Sequence, residues 1–416
     1  MIRPDLALRD RRPVALLIAG AVAVVAAVVV LLILVTGGEE GERSGAPGGA
    51  PEASGLPDAS RTPAPEDLPQ QPGRLVGVTD LAEVSPEGTR GWRILYTTTA
   101  LDGGQTLASG TVLAPAETPR EPLPVLGVAH GTIGVGQDCA PSLTDQPFAG
   151  LGAVTTTLVL EGWVGVSPDY RGLGTPGTHP YLVGEAAAYD TLDAVRAAHE
   201  LVELAPETAL WGHSQGGHAV LWAGAEAQSY APDLALIGVA ATGPATDLEG
   251  LLRMPQQQVG SKLVTAYLLD TWSEVYPDLD PAAALPAAHR ETVDRIAELC
   301  AAGPDAAKSF ALAQTLPPER LGEEVLTDDL VTLLGENTPT RAVGAPLLVA
   351  QGAEDPLVPR ALQREWAAGR CAQGQAMDYR EYADTGHTPG TAMLEDLLDW
   401  LRDRRTGEPV TDACPK

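Results

Sequence analysis

The sequence predicts an α/β protein in which a mostly parallel sheet is covered by helices on both faces. Short apolar runs alternate with helical segments from residue 162 to residue 404, which is typical of buried parallel strands. The extended runs before residue 130 follow one another without helices, which indicates antiparallel strands at one edge of the sheet. A segment at approximately 244–340 interrupts the alternation, because it contains helical patterns and no convincing strand.

Four extended segments open the globular part of the chain, and they predict the antiparallel edge. They span residues 75–84, 92–99, 108–114 and 124–130. Beyond them, the apolar runs are short enough for strands, and the segments between them have helical length. Strands are predicted at 162–167, 208–213, 235–241, 346–351 and 377–382, and helices at 184–204, 215–230, 360–369 and 391–404.

The interrupting segment predicts a helical cap over the edge of the sheet. A structureless loop of this length is improbable inside a compact domain, and the segment carries its own helical signals. We expect helices at 262–274, 281–302, 305–314 and 328–334.

Composition restricts the classes of function. The 416 residues include 27 Lys and Arg against 55 Asp and Glu, which gives a formal net charge of −28. Such a balance repels phosphate backbones and argues against a nucleic-acid partner. The four cysteines form neither a CxxC pair nor a Cys/His cluster with zinc spacing, and His213 and His218 have no carboxylate at ligand spacing. The sequence therefore predicts no metal and no cofactor.

The N-terminal region predicts a membrane anchor. Residues 14–35 form an uncharged, almost wholly apolar run of 22 residues, with arginines before it and glutamates after it. A helix of this length rises about 33 Å, which is enough to cross a bilayer. The charges predict a single-pass protein of the cell membrane, with residues 1–13 in the cytoplasm and the rest outside. A cleaved signal peptide is the alternative, although its apolar region is usually shorter; in that case the protein is secreted.

The next segment, 36–73, predicts a disordered tether. Gly and Pro make up 15 of its 38 residues, and such a composition buries too little apolar surface to offset the cost of ordering the chain. The globular domain is accordingly predicted to span 74–416.

The sequence Gly212-His213-Ser214-Gln215-Gly216 carries the first chemical signal. An apolar strand precedes it and a helix follows it, which is the strand–turn–helix context of a nucleophile elbow. We predict that Ser214 is a nucleophile and that the backbone N–H of Gln215 points at a developing oxyanion.

A serine nucleophile requires a base, and the chain order nucleophile, acid, base identifies one. His387 stands in a turn between the last strand and the last helix, where a loop can bring it to Ser214. Asp355 follows a buried strand at the end where catalytic groups cluster in open α/β sheets. Asp384 is the competing carboxylate, but it lies only three residues from His387 and is more typical of a turn.

The loop after the strand at 124–130 is the predicted source of the second oxyanion donor. It reads His130-Gly131-Thr132-Ile133-Gly134, and its glycines allow the backbone to approach a substrate closely. Spacing narrows the donor to the segment from Thr132 to Gly134. His130 is expected to pack and to form local hydrogen bonds.

Five sequence blocks together resemble the secretory lipase family of α/β-hydrolases, which are related to yeast lipase A. The blocks are AHGTIG…CAPS at 129–142, SPDYRGLGTPGTHPYL at 167–182, WGHSQGG at 211–217, QGAEDPLVP at 351–359 and DTGH at 384–387. The resemblance covers roughly residues 75–414. It implies an α/β-hydrolase fold, a triad of Ser214, Asp355 and His387, and a helical lid in place of the inserted segment.

The resemblance also implies two disulfides, Cys139 with Cys300 and Cys371 with Cys414. Four cysteines allow three pairings, and spacing alone does not choose among them. A membrane anchor departs from the soluble secretion that is usual in the family.

These observations predict an extracytoplasmic serine hydrolase, a lipase or carboxylesterase. Its substrates would be acyl esters such as triacylglycerols, cleaved through an acyl-enzyme. An acyltransferase that uses the same acyl-enzyme on a lipid or sugar acceptor, and a peptidase on the same fold, are the alternatives. A non-enzymatic binding platform is less favoured, because it has no reason to retain all three catalytic groups.

Overall fold

A nine-stranded sheet forms the centre of the computed structural model, which describes residues 56–117, 121–148, 152–318, 321 and 325–415. The strands occur in the spatial order β1-β2-β3-β5-β4-β6-β7-β8-β9. They are β1 (Leu75–Asp80), β2 (Thr89–Thr99), β3 (Gln105–Pro115), β4 (Leu123–Ala129), β5 (Val164–Pro168), β6 (Leu204–His213), β7 (Ala235–Thr242), β8 (Leu347–Gly352) and β9 (Asp378–Tyr382).

The direction of the strands confirms the prediction of a mostly parallel sheet with an antiparallel edge. Strands β1, β2 and β3 pair antiparallel, and β3 also pairs antiparallel with β5. All remaining pairs, from β5–β4 through to β8–β9, are parallel. Every residue of β4 and of β8 is buried, because helices cover both faces of these central strands.

Ten α-helices occur in the described ranges. They are α1 (Gly152–Leu160), α2 (Gly184–His199), α3 (Gln215–Tyr230), α4 (Leu248–Arg253), α5 (Val259–Val275), α6 (Ala287–Ala297), α7 (Ala306–Thr315), α8 (Asp328–Glu336), α9 (Arg360–Ala372) and α10 (Thr391–Thr406). Residues of α2, α3 and α9 share one core with the sheet, and residues of α1 and α10 share the core on the opposite face.

Helices α4 to α8 occupy the insertion between β7 and β8. Their apolar side chains form a third core, which also takes in Tyr181, Leu182 and Val183 from the segment that leads into α2. The predicted helix at 281–302 is too long, because α6 begins only after Pro286 and ends at Ala297. The predicted helix at 184–204 is also too long, because Leu204 already pairs with Leu123 in the sheet.

The sequence analysis missed helix α1. Its run of threonines and valines favours a strand, since side chains branched at Cβ lose rotamer freedom in a helix. In the structure, the hydroxyls of Thr156 and Thr157 donate to main-chain oxygens four residues earlier in the helix. Val154, Leu158 and Val159 are buried against the sheet, so tertiary packing overrides the local preference.

The predicted tether at 36–73 extends too far. Its described part, from residue 56 onward, packs on β1 and β2: Val78 N–H donates to Pro57 O at 2.9 Å, and Ala59 N–H donates to Thr79 Oγ1 at 3.1 Å. Ala59 and Leu68 are buried in a small core with Leu95 and Leu107. A few apolar anchors in a Gly- and Pro-rich stretch are sufficient to fix it, which composition alone does not reveal.

The predicted anchor at 14–35 lies outside the described residues, as do 1–13 and 36–55. Within the part of the chain that the structure describes, no helix combines the length and the apolar character needed to cross a bilayer.

One buried ion pair joins the loop after β5 to helix α2. Arg171 Nη2 lies 2.7 Å from Asp190 Oδ1, with the two side chains 8% and 1% exposed. Asp190 also accepts the backbone N–H of Arg171 at 2.9 Å, and Arg171 Nη1 donates to Thr99 O at 2.7 Å. The pair therefore joins the loop after β5, helix α2 and the end of β2.

We expect Asp190→Asn to lower the free energy of unfolding by about 3–5 kcal/mol, because it leaves a buried guanidinium without its counter-charge. Urea denaturation measures the change. Glu161→Gln is the matched control: its partner Arg402 is 41% exposed and Glu161 is 38% exposed, so the loss should stay below about 1 kcal/mol. Equal losses in the two variants would contradict this account.

Candidate active site

Ser214 occupies a strained turn between β6 and α3. It has φ 56° and ψ −117°, a conformation that non-glycine residues rarely adopt. The strand ends at His213 and the helix begins at Gln215, so the turn projects the hydroxyl at the carboxyl end of the central strands. This is the geometry that the Gly-x-Ser-x-Gly pattern predicts.

Two glycines make this turn possible. A Cβ on Gly216 would stand 1.8 Å from Ala129 O at the end of β4, and a Cβ on Gly212 would stand 2.0 Å from Gly216 O. Any side chain at either position would push the first turn of α3 away from the sheet. The tight contact therefore sets where Ser214 lies.

The structure places Ser214, His387 and Asp355 in one hydrogen-bonded relay. His387 Nε2 accepts from Ser214 Oγ at 2.9 Å, and His387 Nδ1 donates to Asp355 Oδ2 at 2.8 Å. Asp355 is buried, and its other oxygen accepts the backbone N–H groups of Leu357 at 2.9 Å and Val358 at 2.8 Å. These bonds hold the carboxylate in one orientation, and its contact with His387 selects the tautomer with the proton on Nδ1.

Asp384, the competing carboxylate, lies exposed in the turn after β9 and has φ 55°. It thus has the conformation of a turn residue, and Asp355 is the carboxylate in contact with His387.

The histidines on the elbow and on its helix contact main-chain oxygens. His213 Nδ1 donates to Thr242 O at 2.9 Å, and its ring lies 4.8 Å from the ring of His387. Burial, with a smaller contribution from His387, lowers the pKa of His213 to about 4. His218 Nε2 donates to Asn337 O at 2.8 Å, and burial lowers the pKa of His218 to about 4. Both rings are therefore neutral at pH 7.

Two of the predicted oxyanion residues line the cavity beside the nucleophile. The backbone N–H of Gln215 belongs to the first turn of α3, where N–H groups have no partner within the helix. Thr132 lines the same cavity as Ser214 and His387. A Cβ on Gly131 would stand 3.7 Å from Ser214 Cβ, so the loop after β4 passes directly beside the nucleophile.

Gly134, the third predicted residue, lies elsewhere. With φ 127°, it packs against the disulfide between Cys139 and Cys300, since a Cβ would meet Cys139 Sγ at 2.6 Å. Ala301 N–H donates to Ile133 O at 2.8 Å beside this link. Gly134 therefore allows the loop after β4 to approach the inserted helices closely.

The structure contains the two disulfides that the family resemblance implies. Cys139 pairs with Cys300, and Cys371 pairs with Cys414. The first joins the loop after β4 to the segment that follows α6, and the second joins α9 to the C-terminal segment.

The sequence analysis missed two residues that contact Thr132 and Gln215, Tyr181 and His179. Tyr181 OH and Thr132 Oγ1 are 2.6 Å apart. His179 Nδ1 donates to Arg171 O at 3.1 Å, so its Nε2 accepts the side-chain amide of Gln215 at 3.1 Å. Burial lowers the pKa of His179 to about 3, which keeps it neutral. Both residues belong to the sequence block at 167–182, but their contacts with Thr132 and Gln215 are seen only in the structure.

A serine, a histidine and a carboxylate in this arrangement can carry out acyl transfer, because the relay supplies a base for the serine hydroxyl. The model of the secretory lipase family matches residues 152–413 of this chain.

The chain belongs to the secretory lipase family. Among its relatives is the secreted triacylglycerol lipase LIP7 of Malassezia globosa, with 27% identity over 361 residues, covering 79% of this chain and 73% of the relative. A protein of Mycobacterium tuberculosis described as a probable inactive lipase has 28% identity over 349 residues, which cover 79% of this chain and 76% of that protein. The family and its lipase relatives identify the protein as a carboxylic ester hydrolase of the triacylglycerol lipase type.

Solved structures confirm the α/β-hydrolase fold. Candida antarctica lipase A in its closed state superposes with a TM-score of 0.68 and 20% identity, covering 85% of this chain and 89% of that one. LipA, the rice cell wall degrading esterase of Xanthomonas oryzae, superposes with a TM-score of 0.62 and 21% identity, covering 80% of this chain and 97% of that one.

We expect Gly216→Ala to lower the free energy of unfolding of this lipase-family protein by more than about 4 kcal/mol, because the new methyl group would overlap Ala129 O. Gly369→Ala is the matched control: Gly369 lies in α9 and a Cβ there meets no atom within 4 Å. Removing a helical glycine at such a site should stabilise the protein by about 0.5–1 kcal/mol. Urea midpoints that move in the same direction for both variants would contradict the packing argument.

Proposed function

We propose that the protein hydrolyses carboxylic esters with Ser214 as nucleophile, His387 as base and acid, and Asp355 as the group that orients His387. The relay from Ser214 Oγ through His387 to Asp355, with contacts of 2.9 and 2.8 Å, is the observation that supports this assignment. One relative carries the description of a probable inactive lipase, so a direct test of the three groups in this chain matters.

The proposed reaction has two halves. Ser214 Oγ attacks the ester carbonyl while His387 Nε2 takes its proton, and collapse of the tetrahedral intermediate releases the alcohol, which receives that proton from His387. Water then attacks the acyl-enzyme with His387 again as base, and the acid leaves as Ser214 is restored. Asp355 stabilises the imidazolium that forms in each half.

The N–H of Gln215 and the loop at 131–132 are the proposed oxyanion donors. His179 holds the side chain of Gln215, and Tyr181 holds Thr132. These contacts support the two segments that carry the proposed donors, and donors fixed before substrate arrives need no reorganisation during the reaction.

We also propose that the catalytic domain works outside the cytoplasm. The two disulfides favour an oxidising compartment, and the related lipase of Malassezia globosa is described as secreted. Residues 14–35 would deliver it there, either as an uncleaved anchor or as a cleaved signal. Fractionation of cells that express the full chain, followed by mass spectrometry of the N-terminus, distinguishes the two routes.

Ser214→Ala should reduce kcat for p-nitrophenyl butyrate by about 10⁶-fold. The rate that remains would come from substrate binding and the other groups of the site. The variant should also fail to react with a serine-directed phosphonate. Ser273→Ala, which removes an exposed hydroxyl on α5, should leave kcat unchanged. Full activity in Ser214→Ala would refute the assignment. Adding a competing alcohol to the wild-type reaction and analysing the products separates hydrolysis from acyl transfer.

Asp355→Asn should reduce kcat by about 10⁴-fold, because the amide no longer selects the productive tautomer of His387. Asp384→Asn is the matched control: the position is exposed with φ 55°, and asparagine tolerates that conformation. Its kcat should match the wild type. Steady-state assays that show the large loss in Asp384→Asn instead would identify Asp384 as the catalytic acid.

A further inference from the structure

The cavity that adjoins the reactive groups is small. Its volume is about 50 Å³, and its lining includes Ser214, Gln215 and His387. Sites for drug-sized ligands have volumes of about 300–1,000 Å³. The space beside the reactive groups is therefore several-fold smaller than such sites.

Apolar side chains from separate segments form the walls of this cavity. Leu251 and Leu252 come from α4, Val264 comes from α5, Leu182 precedes α2, and Leu357 follows β8. An acyl group bound to Ser214 would therefore meet hydrocarbon on most of these walls, as is usual in sites for small molecules.

A buried glutamine ties α4 to α5 at the cavity. Gln256 is 1% exposed, and its Nε2 donates to Leu251 O at 3.1 Å and to Met254 O at 3.1 Å. Its Oε1 accepts from Thr265 Oγ1 on α5 at 3.1 Å. Both Gln256 and Thr265 line the cavity. An acyl chain that pushed α4 away from α5 would break these buried hydrogen bonds, which are costly to leave unmade.

The wall after β8 is held by the carboxylate of Asp355. The backbone N–H groups of Leu357 and Val358 both donate to Asp355 Oδ1. On its other side, Leu357 packs against the first turn of α5, where a Cβ on Gly260 would stand 2.9 Å from Leu357 Cδ2. Leu357 therefore cannot retreat without disturbing either Asp355 or α5.

Helix α5 is in turn fastened to its surroundings. Trp272 Nε1 donates to Tyr181 O at 2.8 Å. The buried Lys262 Nζ donates to the backbone oxygen of Leu316, the residue that follows α7, at 2.5 Å. These contacts, together with the disulfide from Cys139 to Cys300, oppose a swing of the inserted helices that would enlarge the cavity.

We propose that this enzyme selects esters of short acyl chains over long ones, and that Val264, Leu357 and the Gln256–Thr265 contact set the limit. The proposal rests on the acylation of Ser214 described above. It assigns this cavity to the acyl side of the substrate.

The test compares acyl chain lengths on the full chain. Wild-type kcat/KM for p-nitrophenyl butyrate should exceed that for the dodecanoate by about 100-fold or more. Val264→Ala, which removes two methyl groups from the wall, should shift this ratio toward the dodecanoate by about 10-fold. Val275→Ala makes the same change at the far end of α5, outside the lining, and should leave the ratio unchanged.

Two results would overturn the proposal: a wild-type enzyme that hydrolyses the dodecanoate as efficiently as the butyrate, or a Val264→Ala variant with the wild-type ratio. Butyl and dodecyl p-nitrophenyl phosphonates separate this failure from a failure of the proposed function. Labelling of Ser214 at equal rates by both overturns the chain-length limit alone. Labelling by neither contradicts the role of Ser214 itself.

Discussion

The candidate site depends on one close approach, that of the first turn of α3 to the carboxyl ends of β4 and β6. Gly216 lies where any Cβ would overlap Ala129 O, and Ser214 accepts a backbone conformation with positive φ to enter the helix. This contact directs the serine hydroxyl out of the sheet and brings the N–H of Gln215 beside the loop after β4. His387 can contact Ser214 Oγ only because the turn holds the hydroxyl in this position.

The positions of the proposed catalytic groups could be inferred from the sequence because each stands at the end of a strongly patterned element. Apolar runs identify β6 and β8, and the residues that follow them, Ser214 and Asp355, must lie at the same edge of a parallel sheet. His387 follows the adjacent strand β9. Chain order and local turn chemistry were sufficient to place these three groups, since the turns are encoded by neighbouring residues.

Features that arise from distant contacts could not be predicted in the same way. Helix α1 has a local preference for a strand and forms because its valines and leucine meet the sheet. Residues 56–73 have the composition of a linker, yet Ala59 and Leu68 fill a small core. The apolar walls of the acyl cavity combine residues as far apart in the chain as Leu182 and Leu357. No short sequence motif identifies such a wall, because its residues are close in space but not in the sequence.

The disulfide that fastens the loop after β4 spans 161 positions of the chain. Cys300 is synthesised only after strands β5 to β7 and helices α1 to α6, so the loop beside Ser214 receives its covalent support late. Thiols remain reduced in most cytoplasms, and there the loop has only its hydrogen bonds. With the proposed export, oxidation would complete the covalent support of this loop only outside the cytoplasm.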